Sequence, residues 1–192
     1  MKKLLLLAAV VSLSSFTFAS VVTIDFEQYP AYTQITNQYA ASDGAVFTNA
    51  LQLVVPFYDY FDYPPHSGSG VITNDPADPI QVNFTNSLVT VHSVSGWYTG
   101  PNGVVLSLYR ANGSLIASYS EPAIYGATSN FSATSASPIG YITVADATGS
   151  SDNITVDDLS FTTTPVPESG SLTLMGSALI GVAGLLRQKL ER

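Results

Sequence analysis

Residues 104–116, Val-Val-Leu-Ser-Leu-Tyr-Arg-Ala-Asn-Gly-Ser-Leu-Ile, decide the fold class. Two short apolar runs, ending at Leu108-Tyr109 and resuming at Leu115-Ile116, flank Asn112-Gly113. That dipeptide favours a type I′ turn, which needs a positive φ at both central residues. The segment therefore reads as an antiparallel β-hairpin. On either side the same grammar repeats, with alternating or β-branched runs cut by Gly, Pro, Asn and Asp. Strands are expected over 21–26, 45–47, 51–55, 70–72 and 80–84, then over 88–94, 104–109, 115–119, 129–132, 139–144 and 154–161. Between the termini no stretch keeps a helical period. About ten short strands in some 140 residues predict an all-β fold, an antiparallel β-sandwich of jelly-roll-like type.

Charge narrows the partners. Residues 21–164 carry twelve acids against one base, Arg110, a net charge near −11. Phosphate binding needs clustered Lys and Arg, so no nucleic-acid partner is expected. The chain has no cysteine, which excludes disulfides, thiol nucleophiles and Cys-ligated zinc.

Both ends differ from the middle. Lys2 and Lys3 precede the apolar run Leu4–Leu13, and Thr17-Phe18-Ala19 offers small residues for cleavage; residues 1–19 read as a signal peptide, a helix removed by signal peptidase. The sandwich domain is placed at 21–162 and an extended Pro-containing linker at 163–168. Ser169–Leu186 carry no charge and as a helix would span about 27 Å, close to a bilayer core. Arg187, Lys189 and Arg192 follow. This predicts a single transmembrane helix with a cytoplasmic C-terminus before processing and the domain outside, at the cell envelope, cell surface or extracellular matrix.

Val166-Pro167-Glu168, the Gly-rich apolar span and the basic end together resemble the PEP-CTERM sorting signal, also catalogued as the C-terminal domain of ice-binding proteins. Ser169 stands where that family usually has a second proline. The resemblance covers 165–192 and implies an exosortase-type membrane protease as partner, with a sorting motif at Val166, Pro167, Glu168, Arg187 and Lys189. It also implies a role around exopolysaccharide. In the middle, Thr23-Ile24-Asp25-Phe26-Glu27 and Asn153–Phe161 resemble the paired terminal strands of carbohydrate-binding-module-like jelly-rolls, where acids often hold a structural calcium.

Asp25, Glu27, Asp157 and Asp158 are thus candidate calcium ligands. Period two puts Asp25 and Glu27 on one strand face, and calcium wants six to eight oxygens. Solvated strand-end acids are the plainer alternative. The aromatic run Phe57-Tyr58-Asp59-Tyr60-Phe61-Asp62-Tyr63-Pro64-Pro65-His66 is expected on a loop. Its rings could stack on sugar faces while its carboxylates accept hydroxyls, or fold back onto the sandwich. Tyr58, Tyr60, Tyr63 and Trp97 are the candidate ligand-binding residues, with Trp97 also suited to the core. Asp146–Asp152 reads as a turn. His66 and His92 are the only histidines, and no nucleophile or metalloprotease motif occurs, so no catalytic residue is assigned. The expected function is a non-enzymatic, exported surface or matrix protein associated with exopolysaccharide. The alternative is a carbohydrate-binding module, followed by an ice-binding or adhesion protein and a glycosidase-like enzyme.

Overall fold

A computed structural model describes residues 19–86 and 89–165. The expected signal segment up to Phe18 and the expected tail from Val166 lie outside the described residues, as do Val166, Pro167, Glu168, Arg187 and Lys189. Residues Ala19–Thr164 form one compact unit. Among the described residues no helix is long and apolar enough to cross a membrane.

The unit is a sandwich of two antiparallel sheets. Twelve strands run β1 (Ser20–Ile24), β2 (Gln34–Ile35), β3 (Ala45–Thr48), β4 (Ala50–Val54), β5 (Gly70–Thr73), β6 (Ile80–Phe84), β7 (Val89–Gly100), β8 (Val104–Tyr109), β9 (Leu115–Glu121), β10 (Ile124–Ile139), β11 (Tyr141–Asp146) and β12 (Thr155–Pro165). One sheet has the order β10-β7-β12-β5-β4-β2, with β1 also on β12; the other is β3-β6-β11-β8-β9. Most consecutive strands change sheet, the alternation expected of a jelly-roll-like sandwich. Between the layers lie Phe26, Phe47, Leu106, Leu108, Phe131, Ile142 and Phe161, among others. Phe26 meets Tyr39 and Phe47 edge-on at 5.9 and 5.8 Å.

The 104–116 hairpin forms with a different turn. Only Gly113 has a positive φ (85°), not Asn112. Gly113 N–H donates to Arg110 O at 3.0 Å and Arg110 N–H to Ser114 O at 2.9 Å, a type I turn closed by a left-handed glycine. The Asn112 side chain accepts from Ser114 N–H (3.1 Å) and Ser114 Oγ–H (2.7 Å). That bond stabilises the turn locally, so the expected type I′ geometry is replaced.

Strand β12 organises the larger sheet. Thr155 and Val156 pair with Thr73 and Ile72 of β5, whereas Leu159–Thr163 pair with Ile24–Ser20 of β1. Val156, Leu159 and Phe161 all enter the core, so alternation must slip between 156 and 159. Asp158 absorbs the slip at φ 45°, as a bulge does. The 157–158 step is thus where one neighbour strand leaves β12 and another joins.

Candidate functional site

The face of β4, β5 and β12 turned away from the core carries a second apolar layer. Register sets Leu51 opposite Thr73 and Leu53 opposite Val71, with Thr73 opposite Thr155. These residues alternate with core-facing Ile72 and Val156, so they lie on the outer face. The aromatic run 57–66 folds over them, and the loop is braced throughout. Phe57 N–H donates to Val54 O (2.8 Å), Tyr63 N–H to Asp59 O (3.0 Å) and Gly126 N–H to Asp62 O (2.9 Å). Tyr32 hydroxyl donates to Phe57 O and Tyr125 hydroxyl to Asp62. Hydrogen bonding to the Asp62 carboxylate pushes the Tyr125 phenol up to about 12.

The four predicted ligand residues part company here. Tyr60 stacks on Phe61 at 4.4 Å and 29°. Tyr63 meets Tyr125 edge-on at 5.7 Å and donates to Asn153 Oδ1 at 3.2 Å. Tyr58 turns inward, and its hydroxyl is buried without a partner. Burial first, then the charges of Asp157 and Glu27, raise its phenol above the ordinary range. Trp97 faces outward on β7, opposite in phase to buried Tyr98, but His66 covers it, parallel at 3.7 Å and 7°. The rings most presented to solvent around the loop are Phe61 at 74% exposure, Phe57 and Tyr32 at 61% and Tyr125 at 55%. None of these four is a candidate from sequence. Phe57 and Phe61 were visible in the run itself as the residues without a polar tip; Tyr125 comes from β10, and only topology delivers it.

Three of the four predicted calcium residues, Glu27, Asp157 and Asp158, bond to the one short segment 66–70. Phe26 has φ 56°, which ends β1 and breaks the period expected to align Asp25 with Glu27. Asp25 accepts from Glu27 N–H at 3.2 Å. Glu27 accepts from Ser69 N–H (2.9 Å), Gly70 N–H (2.7 Å) and Ser69 Oγ–H (3.0 Å). Asp157 accepts from His66 N–H (2.8 Å), Ser67 N–H (2.9 Å) and Asp158 N–H (2.7 Å). Asp158 holds His66 Nδ1 at 2.7 Å and Ser67 Oγ at 3.0 Å. The segment 66–70 therefore hangs between carboxylates at the strand split, where its amides lack a ladder partner. Burial pushes the Asp157 carboxyl up to about 6 despite those amide bonds. Among the described residues no three His, Cys, Asp or Glu side chains group as a metal site. Because the oxygens already accept amide hydrogens, Glu27→Gln and Asp157→Asn should each lower stability by about 2 kcal/mol, equally with and without chelator, in thermal melts. A loss that vanished in chelator would instead assign those oxygens to calcium.

A second network sits where Asp146–Asp152 was read as a turn. Asp146 accepts from Thr148 N–H (2.7 Å), Thr148 Oγ–H, Asn102 Nδ2 (3.2 Å) and Asn153 Nδ2 (2.8 Å). Asn74 ties Asp78 and Ser150 O to the amides of Asn153 and Ile154. This hub positions the 146–153 loop against Tyr63.

Elsewhere the larger sheet's outer face is hydroxyl-bearing. Ser95 pairs with Ser132, Ser93 with Thr134, and Thr23 with Ser160, whose hydroxyls meet at 2.8 Å. On that face, ring stacking is confined to the loop and its contact with Trp97, while Tyr109 and Tyr141 stack at 4.6 Å and 7° across β8 and β11 of the smaller sheet. A separate cavity of about 560 Å³ is lined by Asp43, Phe84, Thr90, Ile139, Phe161 and neighbours. Its two rings pack on each other at 4.8 Å and belong to the core edge.

No protein-family model matches the chain, and no curated protein does. Solved structures do. The K2 cleaved adhesin domain of Lys-gingipain superposes with a TM-score of 0.51 at 13% identity, covering 74% of this chain and 99% of that one. A family 29 carbohydrate-binding module superposes at 0.44 and 13% identity, covering 76% and 89%. At this identity the adhesin likeness establishes the fold: an antiparallel sandwich shared over nearly the whole of that domain.

Proposed function

We propose that the chain is an exported surface protein whose sandwich binds carbohydrate through the aromatic loop, without catalysing a reaction on it. The observation that carries this reading is the exposed Phe61 ring, stacked on Tyr60 beside Tyr125 and the Asp62 carboxylate. A largely exposed apolar ring on a cross-braced loop costs solvation and contributes nothing to the core. It fits the flat CH face of a sugar, with carboxylates and phenols beside it to meet hydroxyls. Preorganisation lowers the entropic cost of binding.

Binding rather than catalysis is supported by the histidines. His66 is clamped between Trp97 and Asp158, and His92 Nδ1 lies 3.0 Å from Ser135 O. The signal-like N-terminus and the PEP-CTERM-like tail extend the proposal to export, membrane retention and processing by an exosortase-type protease, in a polysaccharide-rich surface layer.

A glycan array probed with the full chain tests the binding. We expect a restricted set of glycans to be retained. Phe61→Ala should weaken retention about tenfold or more, from the ~1–3 kcal/mol of one stacked ring, with an unchanged melting temperature. Undiminished retention by that variant would refute the site.

A further inference from the structure

We infer that the free edge of β9 is a self-association surface, which pairs antiparallel with β9 of a second copy of this chain. The larger sheet ends at β10 and β2, the smaller at β3 and β9. An open edge strand offers unpaired amides and carbonyls to any other chain, and folds guard such edges by shortness, charge, proline or bulges. The other edges here are guarded. β2 has two residues and β3 four, with Asp43 just ahead of it. β10 is broken by two register shifts and carries Pro138 near its end. β1, joined to β12 off the main path, runs straight into Asp25 and Glu27. β9 is different: it has seven residues and no proline. Its one register shift falls at its start, and Ala117–Glu121 then pair with Leu108–Val104 without a break.

Two observations commit this edge to a second copy. The first is apolar surface. Leu115 at 54% and Tyr119 at 38% exposure stand together on β9, and strand addition covers them on both copies. The second is charge. Across residues 111–145 Glu121 is the only charged side chain, in a domain otherwise dense in acids, so two copies meeting here bring little like charge together. The domain's one base, Arg110, lies exposed at the hairpin end of β9, hydrogen-bonded to Ser114 and Ser137. Glu121 lies at the other end of the strand. Antiparallel pairing about a two-fold axis therefore sets Arg110 beside the partner's Glu121, once at each end. A parallel arrangement would set arginine against arginine. The axis runs perpendicular to the paired strands' sheet, so the two aromatic loops fall on the same side of the dimer. For the carbohydrate reading above, that is bivalency: one polysaccharide surface meets two loops at once.

Charge exchange tests the pairing on the full chain in detergent micelles, with association followed by analytical ultracentrifugation. The wild type should sediment as a dimer. Arg110→Glu and Glu121→Arg should each weaken association about tenfold, because two attractive pairs at the rim become two repulsive ones. Combining the two should restore wild-type association, since the pairs re-form with their signs exchanged. Circular dichroism should be the same for all four proteins. The chain has no cysteine, so single cysteines report the contact independently. Ser118 and Ser120 are exposed on β9, and Thr48 is exposed on the β3 edge. A short bismaleimide should capture at least one of Ser118→Cys and Ser120→Cys as a dimer, and should not capture Thr48→Cys. Monomers at every concentration overturn the inference. A dimer that both single charge variants leave intact overturns it too, assigning association to another part of the chain. A double variant as weak as the singles excludes antiparallel pairing, and capture through Thr48→Cys but neither serine position excludes β9.

Discussion

Asp146→Ala is expected to cost about 3 kcal/mol, a large fraction of a marginal domain's stability. The side chain is 3% exposed and its two oxygens gather donors from two segments, Asn102 of the β7–β8 turn and Thr148 and Asn153 of its own loop. Truncation removes the common acceptor of donors on exposed and half-buried residues and leaves a buried gap at 146. Asp146→Asn is hardly milder, because its amide would face donors on one side. Ionisation adds a pH signature with a defined sign. Burial alone would raise this carboxyl, but hydrogen bonds from Thr148, Asn153 and Asn102 overcome it and hold the group below the usual carboxylate range. A depressed pKa contributes stability that is fully present above the unfolded value and is lost as pH falls through the folded one. Wild type should therefore lose stability below the ordinary aspartate range more steeply than Asp146→Asn. Chemical denaturation at several pH values would show it; parallel curves would contradict the hub.

Gly70→Ala should be comparably damaging, about 3 kcal/mol, for a steric reason. A Cβ at 70 would stand 2.2 Å from Phe26 O and 2.9 Å from Phe26 C, so backbone rather than a flexible tip must move. That movement would part Gln52 Nε2 from Phe26 O, now 2.7 Å apart, and Gly70 N–H from Glu27. It would also disturb the Phe26 ring in its edge-on cluster. Gly113→Ala is the control, since nothing lies within 4 Å of a Cβ there and only the positive φ is penalised, by about 1 kcal/mol. Equal melting temperatures for the two variants would contradict the close approach at the strand split.

The sequence made the sandwich legible because its strands announce themselves. Ile80–Phe84 and Val104–Tyr109 are bounded as the structure has them, since alternation and turn residues agree there. Long β10 was not legible. Its Ile124–Ile139 course has mostly exposed side chains and two register shifts, so period two fades. Two-residue β2 is too short to carry any period. The slip at Asp157-Asp158 did leave a trace, because Val156 and Leu159 are three apart and cannot share a face without a bulge.

The site was legible only as a composition. That aromatics and acids crowd residues 57–66 is plain from sequence, and a loop there was expected. Which rings point outward is not, because the choice is made by partners far along the chain. His66 is drawn onto Trp97 by Asp158, and Tyr125 is brought by β10 to Asp62. Tyr58, the first tyrosine of the run, lost its place because the outer-face layer of Leu53 and Val71 needed a cover. The carboxylates offered as cation ligands also serve as backbone acceptors for a topological reason: β1 ends where β5 begins, and the intervening amides require partners.

The most direct measurement of the central claim is an amide and indole chemical-shift titration of the chain with a glycan retained on the array. Carbohydrate binding through the aromatic loop predicts saturable shifts at residues 57–66, Tyr125 and Gly126, smaller ones at the Trp97 indole, and none around Phe84 and Ile139. Shifts confined to the 560 Å³ cavity that those two residues line, with the loop silent, would contradict it.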